Sequence, residues 1–229
     1  MKIIGLLGGM SWGSTASYYA MINQGVSNQL GGLHSAKLIL NSVDFAEIEA
    51  LQHQGRWGDT ATMLTEAALA VEAAGADFLL ICTNTMHKVA PALESVINIP
   101  LLHIADATAD RLLGQNIECV GLLGTRFTME QDFYISRLKA KGIDVLVPDD
   151  AERDRVHQVI YQELCLGQIK DDSRREYLAI MDKLVAQGAG GVILGCTEIG
   201  LLVRQSDTQI PLFDTAVIHA EAAVKLALG

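Results

Sequence analysis

The chain has 229 residues, of which 50% are hydrophobic, 19% charged and 5% aromatic. That balance excludes a disordered or collagen-like chain and provides for one large domain or two smaller ones, each able to bury its own core. With 17 Lys and Arg against 27 Asp and Glu, the formal net charge is −10. An acidic balance argues against a nucleic-acid or anionic-membrane surface, so an anionic ligand must be held by local dipoles or single cations.

In chain order, a strand at residues 2–7 leads to a helix at 12–30, a strand at 36–40 to a helix at 57–74, and a strand at 78–81 to a helix at 87–96. Strands at 101–104 and 119–123 then follow one another directly. After them come a helix at 127–141, a strand at 144–147, helices at 150–167 and 173–187, strands at 191–194 and 212–213, and a helix at 216–228. The strands are continuous apolar runs rather than alternating ones, which indicates parallel sheets covered on both faces. The expected class is α/β.

The first ten residues carry one charge and a short apolar run before entering Gly8-Gly9, which does not match a signal peptide. No apolar run approaches the roughly 20 residues of a membrane span. The expectation is a cytoplasmic protein without a membrane partner. Its four cysteines, 82, 119, 165 and 196, form no CxxC pair and are expected as free thiols in a reducing compartment.

Three short motifs recur in the same order at nearly constant offset. Gly5-Leu6-Leu7-Gly8 returns as Gly121-Leu122-Leu123-Gly124, Cys82-Thr83-Asn84 as Cys196-Thr197-Glu198, and Ile99-Pro100-Leu101-Leu102 as Ile210-Pro211-Leu212-Phe213. Each match alone is weak, but three in register indicate two similar α/β halves with a boundary near residues 97–118.

Ligands of open parallel sheets bind beyond the carboxyl ends of the strands. Gly8-Gly9-Met10-Ser11, Thr83-Asn84-Thr85, Thr125 and Thr197-Glu198 all fall there. Two such halves facing each other would put Cys82 and Cys196 on opposite walls of one cleft. A thiolate on one face of a carbon acid and a thiol on the other can remove a proton and return one to the opposite face, inverting the stereocentre. A strand end that opens a helix also favours thiolate. Asn84, Thr85, Thr125 and Thr197 would supply hydrogen bonds, and the adjacent helix N-termini a place for a carboxylate.

Other readings compete. A free cysteine after an apolar strand is usually core packing, and Cys119 and Cys165 are read that way. A zinc site from Cys82, His87, Cys196 and His219 has no standard spacing, so no metal is expected. Gly8-Gly9 is neither dinucleotide fingerprint nor phosphate loop.

Ile4-Gly5-Leu6-Leu7-Gly8-Gly9-Met10, Cys82-Thr83-Asn84-Thr85-Met86-His87 and Gly195-Cys196-Thr197-Glu198 together resemble the aspartate/glutamate racemase family over essentially the whole chain. The resemblance implies two pseudo-symmetric α/β/α domains, residues 1–98 with 209–229 and residues 99–208, with the active site between them. It implies cofactor-independent proton transfer by Cys82 and Cys196, and a homodimer. Met10, Asn84, Thr85, Thr125 and Thr197 match positions that bind the amino acid's α-carboxylate and α-amino groups. Gln52 matches a substrate-contacting position in closer bacterial relatives, and Thr83 and Glu198 are counted with the binding residues.

One departure concerns the substrate. Where aspartate racemases of the family carry an arginine and a lysine, this chain aligns Glu47-Ile48 and Leu164-Cys165. Aspartate or glutamate and a wider set of neutral amino acids both stay open, with Arg126 and Lys88 as the nearest replacement cations. The alternatives are a related carbon-acid enzyme, of the maleate isomerase or arylmalonate decarboxylase type, and a two-lobed module that binds an amino acid without turning it over. No lysine lies in a pyridoxal-phosphate context, so that cofactor is not expected.

Overall fold

The structure is a computed structural model that describes residues 1–229. The chain forms two units, Met1–Ile104 with His219–Gly229, and Ala105–Ile218. No helix is long and apolar enough to cross a membrane.

In the first unit, β1 (Ile4–Gly8), β2 (Leu38–Ser42) and β3 (Phe78–Ile81) form a parallel sheet in the order β2-β1-β3. The connecting helices are α1 (Trp12–Leu30), α2 (Phe45–His53) and α3 (Trp57–Ala73). Every residue of β1 and β3 is buried, the expectation for strands covered on both faces. Leu7, Leu79 and Ile81 share a core with Leu64, Ala68 and Val71 of α3. After β3 come a 3-10 turn, Thr85–Val89, and α4 (Ala90–Glu94).

The second unit begins within α5 (Ile104–Leu113). Its elements are β4 (Cys119–Gly124), α6 (Arg126–Glu130), α7 (Asp132–Ala140), β5 (Asp144–Leu146), α8 (Asp150–Gln162), α9 (Asp171–Ala186), β6 (Val192–Gly195), α10 (Ile199–Leu202) and β7 (Leu212–Asp214). The parallel sheet runs β5-β4-β6-β7. The last helix, α11 (Thr215–Leu228), starts in this unit and continues into the first.

The recurring motifs occupy equivalent places. A Cβ on Gly5 would lie 2.5 Å from Val71 of α3, and one on Gly121 would lie 2.9 Å from Leu184 of α9. Both glycines therefore let the helix before the third strand settle on the sheet. Gly8 and Gly124 do the same for the following helix, since their Cβ atoms would meet Thr15 and Thr128. Leu79 donates its N–H to Pro100, and Val192 donates to Pro211, each at 2.9 Å. The Gly8-Gly9 pair serves packing too: Gly9 has φ +96°, and a Cβ there would stand 2.1 Å from the Val43 carbonyl.

Several expected elements differ. The strand expected at 101–104 is reduced to a single bridge between Leu79 and Leu101, because α5 begins at Ile104. No helix was expected there, yet Ile104, Ala105, Thr108 and Leu112 follow helical spacing and are buried. Helix α2 was likewise absent from the expected elements; Asp44 caps it by accepting the Ala46 N–H at 3.0 Å, and Ile48 and Gln52 form its buried stripe. The helix expected at 127–141 is broken at Gln131, whose backbone is extended. The return to the first unit was expected after Gln209, but Leu212–Asp214 pairs with β6, and the chain returns at His219.

Candidate active site

The expected site residues divide between the units. Met10, Gln52, Cys82, Thr83, Asn84 and Thr85 belong to the first, and Thr125, Cys196, Thr197 and Glu198 to the second. All but Gln52 lie just past the carboxyl end of a strand; Gln52 is on α2 and 2% exposed.

Cys82 continues β3 by donating its N–H to the Leu7 carbonyl at 2.9 Å. Its own carbonyl accepts from Ser14 Oγ at 3.0 Å. Ser14 sits in the first turn of α1, which Ser11 caps by accepting the Ser14 N–H. The start of α1 thus grips the loop that bears Cys82, a role no sequence signal gave to Ser14. The Cys82 side chain is fully buried, and burial pushes its thiol well above the ordinary value. Asn84 and Thr85 are buried beside it, and Met10 packs into the core with Ile48, Ile81 and Met86.

The second cysteine has a different environment. Cys196 Sγ donates to Glu198 Oε2 at 3.0 Å, and Thr197 Oγ1 donates to the same oxygen at 2.7 Å. Burial, followed by the Glu198 charge, raises the Cys196 thiol well above its ordinary value. The expectation that strand-end position favours thiolate is therefore reversed for both cysteines. Only short turns follow them, Thr85–Val89 and Ile199–Leu202, and desolvation outweighs what their N–H groups contribute.

Cys165 and Tyr177 are close enough to Cys196 for their charges to be felt. Neither was expected here, because Cys165 follows α8 in the turn Leu164–Leu166 and Tyr177 stands in the middle of α9. Thr125 caps α6, accepting the Thr128 N–H at 3.4 Å. The replacement cations are engaged elsewhere: Arg126 pairs with Glu130 and Asp154, and Lys88 lies 3.9 Å above the Trp57 ring. Glu47 is exposed on α2. No group of three or more His, Cys, Asp and Glu side chains is arranged to hold a metal ion.

The family model for Asp/Glu/hydantoin racemases matches residues 7–223. The chain belongs to this family. A solved candidate Asp/Glu racemase from Yersinia pestis is 57% identical, with full coverage of both chains and a TM-score of 0.95. An aspartate racemase homologue from Pyrococcus horikoshii OT3 is 35% identical, again over both full chains, with a TM-score of 0.86. The broad specificity amino-acid racemase RacX of Bacillus subtilis (strain 168) is 23% identical over 237 residues, covering 99% of each protein.

Proposed function

We propose that this protein is an amino-acid racemase that inverts the α-carbon without a cofactor, using Cys82 and Cys196 as the two bases on opposite faces of the substrate. The observation that carries this reading is the Cys196–Glu198 contact at the end of β6, matched in the duplicated fold by Cys82 at the end of β3. A thiol joined to a carboxylate has a built-in acceptor for its proton, and the thiolate left behind removes the α-proton. Cys82 enters the cycle protonated and delivers its proton to the other face. In the reverse direction the roles exchange. Thr83, Asn84, Thr85, Thr125 and Thr197 offer hydrogen bonds to the amino and carboxylate groups, with Met10 and Gln52 completing the set from the first unit.

The substrate in this reading has an uncharged side chain. A buried distal carboxylate without a cation costs several kcal/mol, and the two cations nearest the site motifs in sequence, Arg126 and Lys88, are held by Glu130 with Asp154 and by Trp57. RacX is named for broad specificity, which accords with a site lacking a dedicated charge partner. The four free cysteines support a reducing, cytoplasmic location, and the family resemblance supports a homodimer.

Proton NMR in D₂O with a panel of L-amino acids tests this reading. Loss of the α-proton signal with formation of the D-enantiomer, fastest for neutral side chains and abolished in Cys82→Ala and Cys196→Ala, is expected. Aspartate turning over far faster than every neutral amino acid would overturn the substrate assignment. No exchange with any amino acid would overturn racemisation.

A further inference from the structure

Three histidines lie buried in the first unit: His87 at 1%, His103 at 3% and His219 at 0% exposure. The His87 ring centroid is 4.4 Å from that of His103 and 5.9 Å from that of His219. They join three separate parts of the chain. His87 is in the turn after Cys82, His103 precedes the point where the chain leaves the unit, and His219 is where it returns.

The hydrogen bonds assign each proton. His87 Nε2 accepts the Ile104 N–H at 3.2 Å, so Nδ1 carries the hydrogen and donates to the Thr83 carbonyl at 2.8 Å. His219 Nε2 lies 2.8 Å from the Leu102 carbonyl and must donate, so Nδ1 accepts from Tyr18 Oη at 2.9 Å. Both rings are neutral with a single tautomer. Burial, with the neighbouring His103 and His219, keeps His87 uncharged.

The Thr83 carbonyl belongs to the Thr83–Asn84 peptide, one peptide beyond that of the Cys82 carbonyl. In a trans peptide the C=O and the next N–H point in opposite directions, so holding this carbonyl also sets the direction of the Asn84 N–H. The Cys82 backbone is already held by Leu7 and Ser14. The Thr83–Asn84 peptide is the next one along, and its carbonyl is held by His87.

We propose that His87 is a positioning residue for the first reactive thiol: its Nδ1 fixes the Thr83–Asn84 peptide beside Cys82, while its Nε2 anchors that peptide to Ile104 on the segment leaving the unit. The inference rests on the racemase reading for the meaning of Cys82 but not for the geometry. His87 touches no reacting atom in this account and acts through the loop.

The test separates its two ring nitrogens. His87→Asn retains an amide nitrogen at the place of Nδ1 and loses the acceptor for Ile104. His87→Gln carries its amide toward the place of Nε2 and leaves Thr83 without its donor. His87→Leu removes both. Full-length variants are assayed for racemisation kcat and KM, thermal midpoint, and the rate of Cys82 alkylation by iodoacetamide relative to Cys196, read by peptide mass spectrometry. His87→Gln and His87→Leu are expected to lose about tenfold or more in kcat, the scale of one buried hydrogen bond left unmade, with a smaller change in KM and an altered alkylation ratio. His87→Asn is expected to recover most of both, although its thermal midpoint remains lowered.

Equal loss in the Asn and Gln variants, tracking thermal stability, would reduce His87 to a core residue and overturn the proposal. Wild-type kcat in His87→Leu would do so as well. If His87→Leu does not fold, the Asn and Gln pair decides. If the wild-type protein racemises nothing, the function reading fails by itself. The alkylation ratio then decides the positioning role alone, and a ratio unchanged across the variants overturns it.

Discussion

Cys196 Sγ and Glu198 Oε2 stand 3.0 Å apart with the thiol donating, whereas Cys82 meets burial without a carboxylate acting on its thiol. The two thiols are therefore chemically unlike, although the strands that carry them are equivalent. In the proposed cycle Cys196 has a local proton acceptor, while Cys82 enters protonated, as its burial favours.

Glu198→Gln is expected to lower kcat by roughly 100-fold to 10,000-fold, the range for removal of a positioned general base. The loss should be larger in the direction for which Cys196 abstracts the proton. Initial rates from each pure enantiomer, followed by polarimetry, measure the asymmetry. Equal small losses in both directions would remove Glu198 from the proton path.

Single replacements of the thiols should separate exchange from inversion. Cys82→Ser and Cys196→Ser are each expected to abolish racemisation while keeping slow α-proton exchange on one enantiomer only, opposite in the two variants. Deuterium incorporation with chiral chromatography of the recovered amino acid reads this directly. Exchange of both enantiomers by one variant would indicate a single base.

The buried histidines predict the acid limb of stability. His219 is lowered to about 4, chiefly by burial, from an unfolded value near 6.5, and His87 is lowered for the same leading reason. A folded value below the unfolded one means that the unfolded chain binds the extra proton as acid is added. The stabilisation from neutral burial is therefore complete above about pH 6.5, falls as the pH drops toward 4, and is flat below; for a fully buried ring it is on the order of a few kcal/mol. Thermal midpoints between pH 7 and pH 4 should show this decline, and it should flatten in His219→Gln.

Glycines should separate by what surrounds them. Gly5→Ala places a Cβ 2.5 Å from Val71 and 3.0 Å from the Phe78 carbonyl, with an expected cost of about 1–3 kcal/mol. Gly58→Ala, in the first turn of α3 with nothing within 4 Å, should instead stabilise by up to about 1 kcal/mol. Urea titration of both variants checks the contrast.

The β-α order, the duplication and the strand-end placement of both cysteines were legible because each has a local signature. Continuous apolar runs marked β1, β3, β4 and β6, and the repeated Gly-Leu-Leu-Gly marked places where a helix must come close to the sheet. Helices α2 and α5 were hidden for different reasons. The buried stripe of α2 is interrupted by a polar residue, Gln52. α5 was masked by its Ala-rich sequence and its place at the expected boundary between the halves. The state of the thiols could not be read from position, since desolvation depends on every residue packed around Cys82 and Cys196. Ser14 and Tyr177 were missed as neighbours of the two cysteines because they lie on helices far from them in sequence.

The return of the chain at His219 orders events during synthesis. Ala105–Ile218 is a single continuous stretch, so the second unit can close as soon as it has left the ribosome. The first unit is made earlier but waits for residues 219–229, where Val224 packs beside Gly25 and Ala227 accepts the Lys2 N–H at 2.9 Å. A nascent chain halted before residue 219 would hold a finished second unit and an open first one. His87, in the turn after Cys82, would then lack the His219 ring that lies 5.9 Å from its own.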